Sequence, residues 1–297
     1  MTFHRRPFLQ SIAAGSGTLF WSRPLLAAKH IDPFSFAIVT DTHLGRQESN
    51  TPKRNWLKAI DEINENTCEF VLHLGDVVDQ GRPEQYPIYN ESRRLLRKPI
   101  FEIPGNHDPS ELFSKHVRTP IDTSFEQNGV RFVLFNNSHT DSHLGFITLK
   151  QIEWFRKQCE DARDGNLPIV VCCHVPIHKN TNPDRGWYVK PEDGQSNFYE
   201  VVDQHADRIL AFFHGHFHNG IRGWRDRSQI VEVLCPSVCY NQDRRLDEAI
   251  KSGKTTGFFV EELRPGYVEA TLGNERLTLQ YKPLGENIHG EYTAEWM

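Results

Sequence analysis

The segment ILAFFHGHFHNG, residues 209–220, joins an apolar run to three histidines at alternate positions. The run ILAFF predicts a buried β-strand, because a short continuous apolar stretch is typical of strands inside a sheet. His214, His216 and His218 follow at its end, and alternate side chains of an extended segment point to one face. Such a row is either a solvated polar ridge or a set of ligands aimed at one point. The rest of the chain decides between these interpretations.

Other apolar runs end in polar residues of the same kind. We predict six strands before the last quarter of the chain, at residues 34–40, 70–75, 100–105, 130–136, 169–174 and 209–215. Five of them are followed by candidate ligands: Asp41 and His43, Asp76 and Asp79, Asn106 to Asp108, His174, and His214 to His218. The carboxyl ends of strands in α/β sheets are where loops converge on a crevice, so we expect these side chains to meet.

The pattern between the strands predicts the fold class. Amphipathic helical segments lie at residues 53–64, 86–96, 149–162 and 196–206. From about residue 223 the helical patterns nearly stop, and strand patterns follow at 229–235, 257–263, 267–272 and 276–282. The sequence therefore predicts one α/β domain over residues 29–297 with a β-rich C-terminal part.

Residues 1–28 have the pattern of an export signal. Arg5 and Arg6 precede a modest apolar stretch, and Ala27 and Ala28 offer small residues for cleavage. RRPFLQ, residues 5–10, resembles the bacterial twin-arginine signal. A frayed N-terminal helix with an accidental arginine pair is the alternative. We expect a cleaved twin-arginine signal peptide and an exported, periplasmic protein with no stable membrane anchor after cleavage.

Composition and charge indicate which classes of binding partner to expect. The 297 residues are 38% hydrophobic and 25% charged, with a formal net charge of −5 and no run of Lys and Arg. We therefore expect no nucleic-acid binding and no electrostatic capture by an anionic membrane. An anionic small-molecule substrate would have to be attracted by bound cations.

Six cysteines in an exported protein raise the question of disulfides. Their spacing matches neither a zinc ribbon nor a small disulfide scaffold, so the sequence does not give a connectivity. Cys172 and Cys173 lie in the apolar run IVVCC, which makes at least one of them a core residue.

The residue types that follow the strands indicate metal chemistry. Asp, Asn and His form a mixed nitrogen and oxygen set suited to Mn, Fe, Zn or Co. These candidates are too many for one tetrahedral zinc, which takes three or four protein ligands. They suit two ions that share a bridging carboxylate. Such a pair can generate hydroxide at neutral pH and hold both the attacking and the leaving oxygen of a phosphoryl displacement.

The order of the motifs resembles the calcineurin-like metallophosphoesterases. The motifs are D-x-H, GDxxD, GNHD, a lone His before a Pro, and GHxH, and they span Asp41 to His218. The resemblance implies a four-layer αββα sandwich, in which two mixed β-sheets are flanked by helices. The C-terminal strands would complete the second sheet.

The same resemblance implies a role for each motif residue. Asp76 would bridge two metals and His107 would assist the leaving group, with Asp108 helping to orient that histidine. The remaining ligands would be Asp41, His43 and His218 on one metal and Asn106, His174 and His216 on the other.

Departures from two relatives favour one branch of the family. Purple acid phosphatases carry a Tyr where this chain has Asp79, and calcineurin-type phosphatases carry an Arg where it has Gln80. Those phosphatases also have a Glu in place of Asp108. The pattern is similar to the bacterial phosphodiesterase branch, so we expect a binuclear-metal phosphodiesterase that acts through metal-bound hydroxide on a small-molecule phosphoester. A phosphomonoesterase of the same fold, or a non-catalytic scaffold that retains the fold, are the alternatives.

Several further residues have a structural interpretation beside a functional one. His73 and His214 are expected to be structural, and Asp79 could cap the turn or helix after Asp76. Trp187 is expected to be a packed loop aromatic rather than a stacking platform. His139, His143 and His178 are alternative candidates for the wall of a substrate pocket.

Overall fold

The structure is a computed structural model of the chain. The structure describes residues 18–22, 31–46, 49–179, 186–224, 230–241, 264–273 and 276–284. Within these ranges, no helix has the length and apolar character needed to cross a membrane.

The first sheet has six strands, and the three strands toward one edge are parallel. Their order in the sheet is β1-β12-β11-β2-β3-β4. Strands β2, β3 and β4 pair in parallel, whereas β11 and β12 form an antiparallel hairpin against β2. The strands are β1 (Thr18–Ser22), β2 (Phe34–Val39), β3 (Val71–His73), β4 (Ile100–Glu102), β11 (Gly266–Gly273) and β12 (Arg276–Pro283).

The second sheet also has six strands, in the order β5-β6-β7-β8-β10-β9. Strands β6, β7, β8 and β10 are parallel, and the two edge strands are antiparallel to their neighbours. The strands are β5 (Thr123–Gln127), β6 (Val130–Leu134), β7 (Ile169–Cys172), β8 (Ile209–His214), β9 (Arg222–Trp224) and β10 (Val231–Leu234).

Three hydrophobic clusters show how the layers stack. The cluster between the sheets joins side chains such as Phe36 and Leu72 of the first sheet to Phe132 and Val170 of the second. On the outer face of the first sheet, Trp56 and other helix residues pack on Val39 and Val71. Phe155 and Phe198 cover the outer face of the second sheet. Since apolar burial contributes about 25 cal/mol per Å², these three interfaces hold the layers together.

Helices therefore flank both sheets, as the four-layer sandwich requires. They are α1 (Thr51–Glu65), α2 (Gln85–Arg93), α3 (Ser110–His116), α4 (Leu149–Asp164) and α5 (Gln195–Gln204), with a short 3-10 turn at Pro191–Asp193 before α5. The side chain of Thr148 caps α4 by accepting from the backbone N–H of Gln151, in a full capping box. The α/β class and the αββα sandwich predicted from the sequence are confirmed.

One expectation about the sheets is wrong. The long C-terminal hairpin, β11 and β12, joins the first sheet beside β2 rather than completing the second. Among the strands that the structure describes, β10 and β9 extend the second sheet beyond β8. Alternation along a strand tells which face is buried but does not tell which of two sheet edges will accept the strand.

The sequence also missed or misjudged some elements. Strand β5 and helix α3 were not predicted, and α2 ends at Arg93 instead of residue 96. The predicted strand at 257–263 lies outside the described residues.

Of the predicted signal peptide, only residues 18–22 are described. They form β1, which is the edge strand of the first sheet and pairs with β12. Cleavage near residue 28 would therefore remove one edge strand and leave the other pairings of the sheet intact. Cleavage near residue 28 stays a prediction, as does the domain boundary.

All six cysteines are buried and unpaired. Cys172 packs between the two sheets, and Cys173 packs on the helical side of the second sheet. Burial raises the pKa of both thiols. They are therefore inert core side chains.

Candidate active site

Two groups of buried side chains meet where the strands end, and they share one carboxylate. Each group offers ligand atoms that lie within 4.8 Å of one another. The first donor group, so called because its atoms could donate electron pairs to a metal ion, is Asp41, His43, Asp76 and His218. The second donor group is Asp76, His174 and His216. The strands that deliver them are β2 and β3 of the first sheet and β7 and β8 of the second.

Asp76 stands between the two groups. Its Oδ2 lies 3.5 Å from Nε2 of His43 and 3.3 Å from Nε2 of His174. Its other oxygen, Oδ1, accepts the backbone N–H of His107 at 2.8 Å. One oxygen is therefore directed to both donor groups while the second fixes the carboxylate.

The remaining donors complete each group. In the first, Nε2 of His218 lies 3.0 Å from Oδ1 of Asp41 and 3.1 Å from Nε2 of His43. In the second, Nε2 of His174 lies 3.2 Å from Oδ1 of Asn106, which adds an amide oxygen to that group. All seven side chains belong to residues that are at most 7% exposed.

The backbone at these positions is unusual. Asp41, His43, Asp76, His216 and His218 all have positive φ, between 44° and 77°. Few residues other than Gly adopt this left-handed region, and such residues cluster where function requires a particular side-chain direction. The loops turn sharply at the strand ends, and these turns direct the side chains toward a common point.

Two glycines allow the loops to approach one another. A Cβ on Gly105 would lie 2.1 Å from Oδ1 of Asp76, and one on Gly215 would lie 2.1 Å from Oγ1 of Thr40. The Gly in GNHD and the Gly in GHxH are therefore required by close packing against the neighbouring donor loops.

Hydrogen bonds to carbonyl oxygens fix the tautomers of three histidines. Nδ1 of His174 donates to the carbonyl of Leu74 at 2.7 Å, and Nδ1 of His218 donates to that of Tyr240 at 3.0 Å. His216 instead uses Nε2, which donates to the carbonyl of His143 at 3.0 Å. A carbonyl oxygen only accepts hydrogen bonds, so the nitrogen that contacts it carries the proton. The other nitrogen of each neutral ring then has a free lone pair that could bind a metal ion.

This arrangement fits metal ions. Lone pairs of imidazoles face carboxylate or amide oxygens at 3.0–3.3 Å, and contacts between acceptors are repulsive unless a cation or a proton lies between them. Burial opposes a charged His174, but the carboxylates of Asp76 and Asp41 outweigh it and raise the pKa to about 9. The site thus attracts positive charge, which a metal ion can supply in place of a proton.

His107 lies beside the donors without belonging to either group. Its Nδ1 donates to the carbonyl of Asp79, and its ring centroid is 4.7 Å from that of His43. Burial disfavours the charged ring, but the charge of Asp76 and the bond to Asp79 outweigh burial and raise the pKa of His107. The fixed Nδ1 leaves Nε2 as the nitrogen that can exchange a proton with a ligand.

Asp108 acts on the backbone that carries these residues. Its carboxylate accepts the N–H groups of Gly105, Val77 and Val78 at 2.9–3.2 Å. Burial and the nearby charge of Asp76 raise its pKa to about 7. Asp108 therefore supports the loop backbone, whereas the His107 ring is held by the Asp79 carbonyl. That Asp108 helps to orient His107 stays a prediction.

A family model of the calcineurin-like phosphoesterases matches residues 34–220, the part of the chain that contains both donor groups. This chain belongs to the calcineurin-like phosphoesterase family. Members of this family are metal-dependent hydrolases of phosphoric esters, and the protein is such an enzyme.

Curated relatives from bacteria match most of the chain. A 3',5'-cyclic-nucleotide phosphodiesterase from Nostoc sp. is 26% identical over 79% of this chain and 86% of its own length. A 3',5'-cyclic adenosine monophosphate phosphodiesterase from Haemophilus influenzae is 32% identical over 80% of this chain and 85% of its own. A dimetal phosphatase from Danio rerio has a similar fold, with a TM-score of 0.64 and 14% identity over 86% of this chain and 97% of its own.

An open cleft of about 520 Å³ adjoins the second donor group of this phosphoesterase. It is lined by Gln80, Asn106, His107 and Pro109 and by residues 140–143. His143, one of three alternative pocket histidines, is therefore at the cleft. His139 instead stacks on Phe146, and His178 lies against Tyr199.

Two residues around the site were underestimated from the sequence. Asp79 was considered a turn cap, yet its Oδ1 lies 3.4 Å from Nδ1 of His43 and its carbonyl holds His107. Trp187 stacks on His143 with centroids 4.0 Å apart, and its ring also lies 5.2 Å from that of His216. The sequence signal for Asp79 was its position three residues after Asp76 in the GDxxD motif.

Tyr240 was not considered from the sequence. Its carbonyl fixes His218, and Arg46 lies over its ring at 5.5 Å while also approaching Oδ1 of Asp79 at 3.8 Å. No motif marks Tyr240, because its role depends on a backbone carbonyl that any residue type could supply.

The two histidines that were expected to be structural are buried. His73 is fully buried, bonds to Oγ1 of Thr42 at 3.1 Å, and has a pKa lowered to about 3 by burial. His214 is also fully buried, between Oε2 of Glu232 at 3.2 Å and Sγ of Cys173 at 3.3 Å. This prediction is confirmed.

Proposed function

We propose that the protein is a phosphodiesterase with a two-metal centre. The observation that carries the proposal is that both donor groups share Oδ2 of Asp76, while the other oxygen of Asp76 holds the backbone of His107. The phosphodiesterase names of the bacterial relatives support the same substrate class.

Each residue has a defined part in this proposal. Asp76 would bind both metals. One metal would be held in addition by Asp41, His43 and His218. The other would be held by Asn106, His174 and His216. When bound, two ions of Mn, Fe, Zn or Co would neutralise charge on the phosphate and make water a nucleophile at neutral pH.

His107 acts on the leaving group. Hydrolysis forms a bond from a water oxygen to phosphorus and breaks the bond to the leaving alcohol, whose oxygen takes a proton from Nε2 of His107. The bond from Nδ1 to the Asp79 carbonyl keeps the ring in place during this transfer. The proton lost by the attacking water balances the one that His107 gives.

The charges around the site favour diesters over monoesters. A phosphomonoester dianion gains from extra fixed cations, whereas a diester monoanion needs mainly the metals and an acid for its leaving group. Arg46 is engaged with Asp79 and Tyr240, and no Lys or Arg is among the described residues that line the cleft.

We expect a higher kcat/KM for an aryl methyl diester than for the monoester of the same aryl group, at neutral to mildly alkaline pH. The measurement uses protein with quantified metals and one leaving group, so that the difference reports on charge recognition. A monoester preference of tenfold or more, about 1.4 kcal/mol, would support the monoesterase alternative. Full metal content with no turnover of either ester would support the scaffold alternative.

We also propose that residues 1–28 direct export through a twin-arginine pathway. Replacing Arg5 and Arg6 by Lys should leave the protein in the cytoplasm, because the arginine pair is the feature that the pathway reads. Fractionation and mass spectrometry measure this. Undiminished periplasmic protein in the double-Lys variant contradicts the pathway, and an intact Met1 on exported protein contradicts cleavage.

A further inference from the structure

The cleft beside His107 lies where the leaving alcohol has to go. A general acid must be within hydrogen-bond reach of the oxygen that it protonates, so the rest of the leaving alcohol extends into the space next to His107. That space is the cleft of about 520 Å³, a volume within the usual range for small-molecule sites.

One wall of the cleft is a loop with its own internal support. Residues 140–143 lie between Ser138 and Gly145, which form an antiparallel bridge. The N–H of Leu144 donates to Oγ of Ser142 at 2.9 Å. These bonds hold the loop in a defined shape without a ligand, which reduces the entropy lost on binding.

The same loop is tied to the donor groups. The carbonyl of His143 accepts from Nε2 of His216 at 3.0 Å, and the His143 ring stacks on Trp187. The loop therefore has a fixed position relative to the second donor group. A side chain on it meets the same part of every bound substrate.

Charge distinguishes this wall. Among the described residues that line the cleft, Asp141 carries the one full negative charge, and the others are neutral polar side chains, a proline and two histidines. Unlike the donor carboxylates, Asp141 is exposed and remains outside both donor groups. Its field acts on whatever charge the leaving alcohol carries.

We propose that Asp141 makes this enzyme select phosphodiesters whose leaving alcohol carries no negative charge. The inference rests on the proposed phosphodiesterase function. Thr140, Ser142 and Gln80 supply neutral groups for hydrogen bonds to hydroxyls of such an alcohol. A second anionic group on the leaving side would face the Asp141 carboxylate, and no Lys or Arg among the described lining residues would offset that repulsion.

Two diesters of the same design test the proposal on the metal-loaded protein. One is methyl nitrophenyl phosphate, and the other carries a carboxylate on the nitrophenyl ring. The kcat/KM values are normalised by the rates of the two diesters in hydroxide alone. We expect wild type to favour the neutral leaving group about three- to tenfold, and Asp141→Asn to bring that ratio close to one.

A matched charge change controls for the net charge of the protein. Asp164→Asn alters an exposed carboxylate at the end of α4 and should leave the ratio as in wild type. Raising the salt from about 0.01 to 1 M shortens the screening length from about 30 to 3 Å and should lower the wild-type ratio, a test that needs no variant.

The possible failures are distinguishable. Hydrolysis of both diesters with a ratio that Asp141→Asn leaves within about twofold of wild type would overturn the role of Asp141 alone. An equal fall in the ratio for Asp164→Asn would also overturn it, because the effect would then come from net charge. If the metal-loaded protein hydrolyses neither diester, the proposed function fails and this inference fails with it.

Discussion

Asp76→Asn is expected to lose metal from both donor groups and to reduce diester turnover by more than roughly 10³-fold. The carboxylate oxygen Oδ2 lies 3.5 Å from Nε2 of His43 and 3.3 Å from Nε2 of His174, so this anionic atom is directed at both groups. Asn keeps an oxygen for the backbone N–H of His107 but removes the charge. Metal analysis after dialysis and turnover of an aryl diester measure the two effects.

The control is another carboxylate that accepts hydrogen bonds. Asp122 accepts the backbone N–H of Asn136 at 2.8 Å and Nε2 of Gln151 at 3.1 Å, outside both donor groups. Asp122→Asn should keep two metals and wild-type turnover. Two metals and full activity in Asp76→Asn would mean that the site is assigned to the wrong residues.

His107→Ala should retain both metals and lose about 10²–10⁴-fold in turnover, the range for a general acid. The ring is held by the Asp79 carbonyl and belongs to neither donor group, so its removal takes away a proton donor and no ligand. The loss should be smaller for a dinitrophenyl diester, because a good leaving group departs without protonation. Metal content and kcat for two leaving groups are the measurements.

The control for this change is a second half-buried histidine. His116, at the end of α3, stacks on Tyr86 at 5.2 Å and lies outside both donor groups. His116→Ala should keep metal content and turnover. Loss of metal from His107→Ala would make His107 a ligand, and an equal loss of rate for both leaving groups would argue against proton donation.

The sequence by itself predicted the fold class and collected the candidate ligands. Apolar runs followed by Asp, Asn or His locate strand ends, because burial selects apolar residues within the run and polar residues are favoured where the strand leaves the core. The order of those motifs was sufficient to identify the family resemblance. Asp41, His174 and His218 could all be named before any distance was known.

Only the tertiary structure decided how these residues work together. His43 and His218 are 175 positions apart in the chain, and their Nε2 atoms lie 3.1 Å apart only because two sheets pack face to face. The tautomers of the histidines and the roles of Asp79 and Tyr240 depend on backbone carbonyls of other loops. The cleft beside His107 is formed by residues from separate segments of the chain. Spacing along a chain carries no record of such contacts, since any residue type supplies a carbonyl and only packing brings it near.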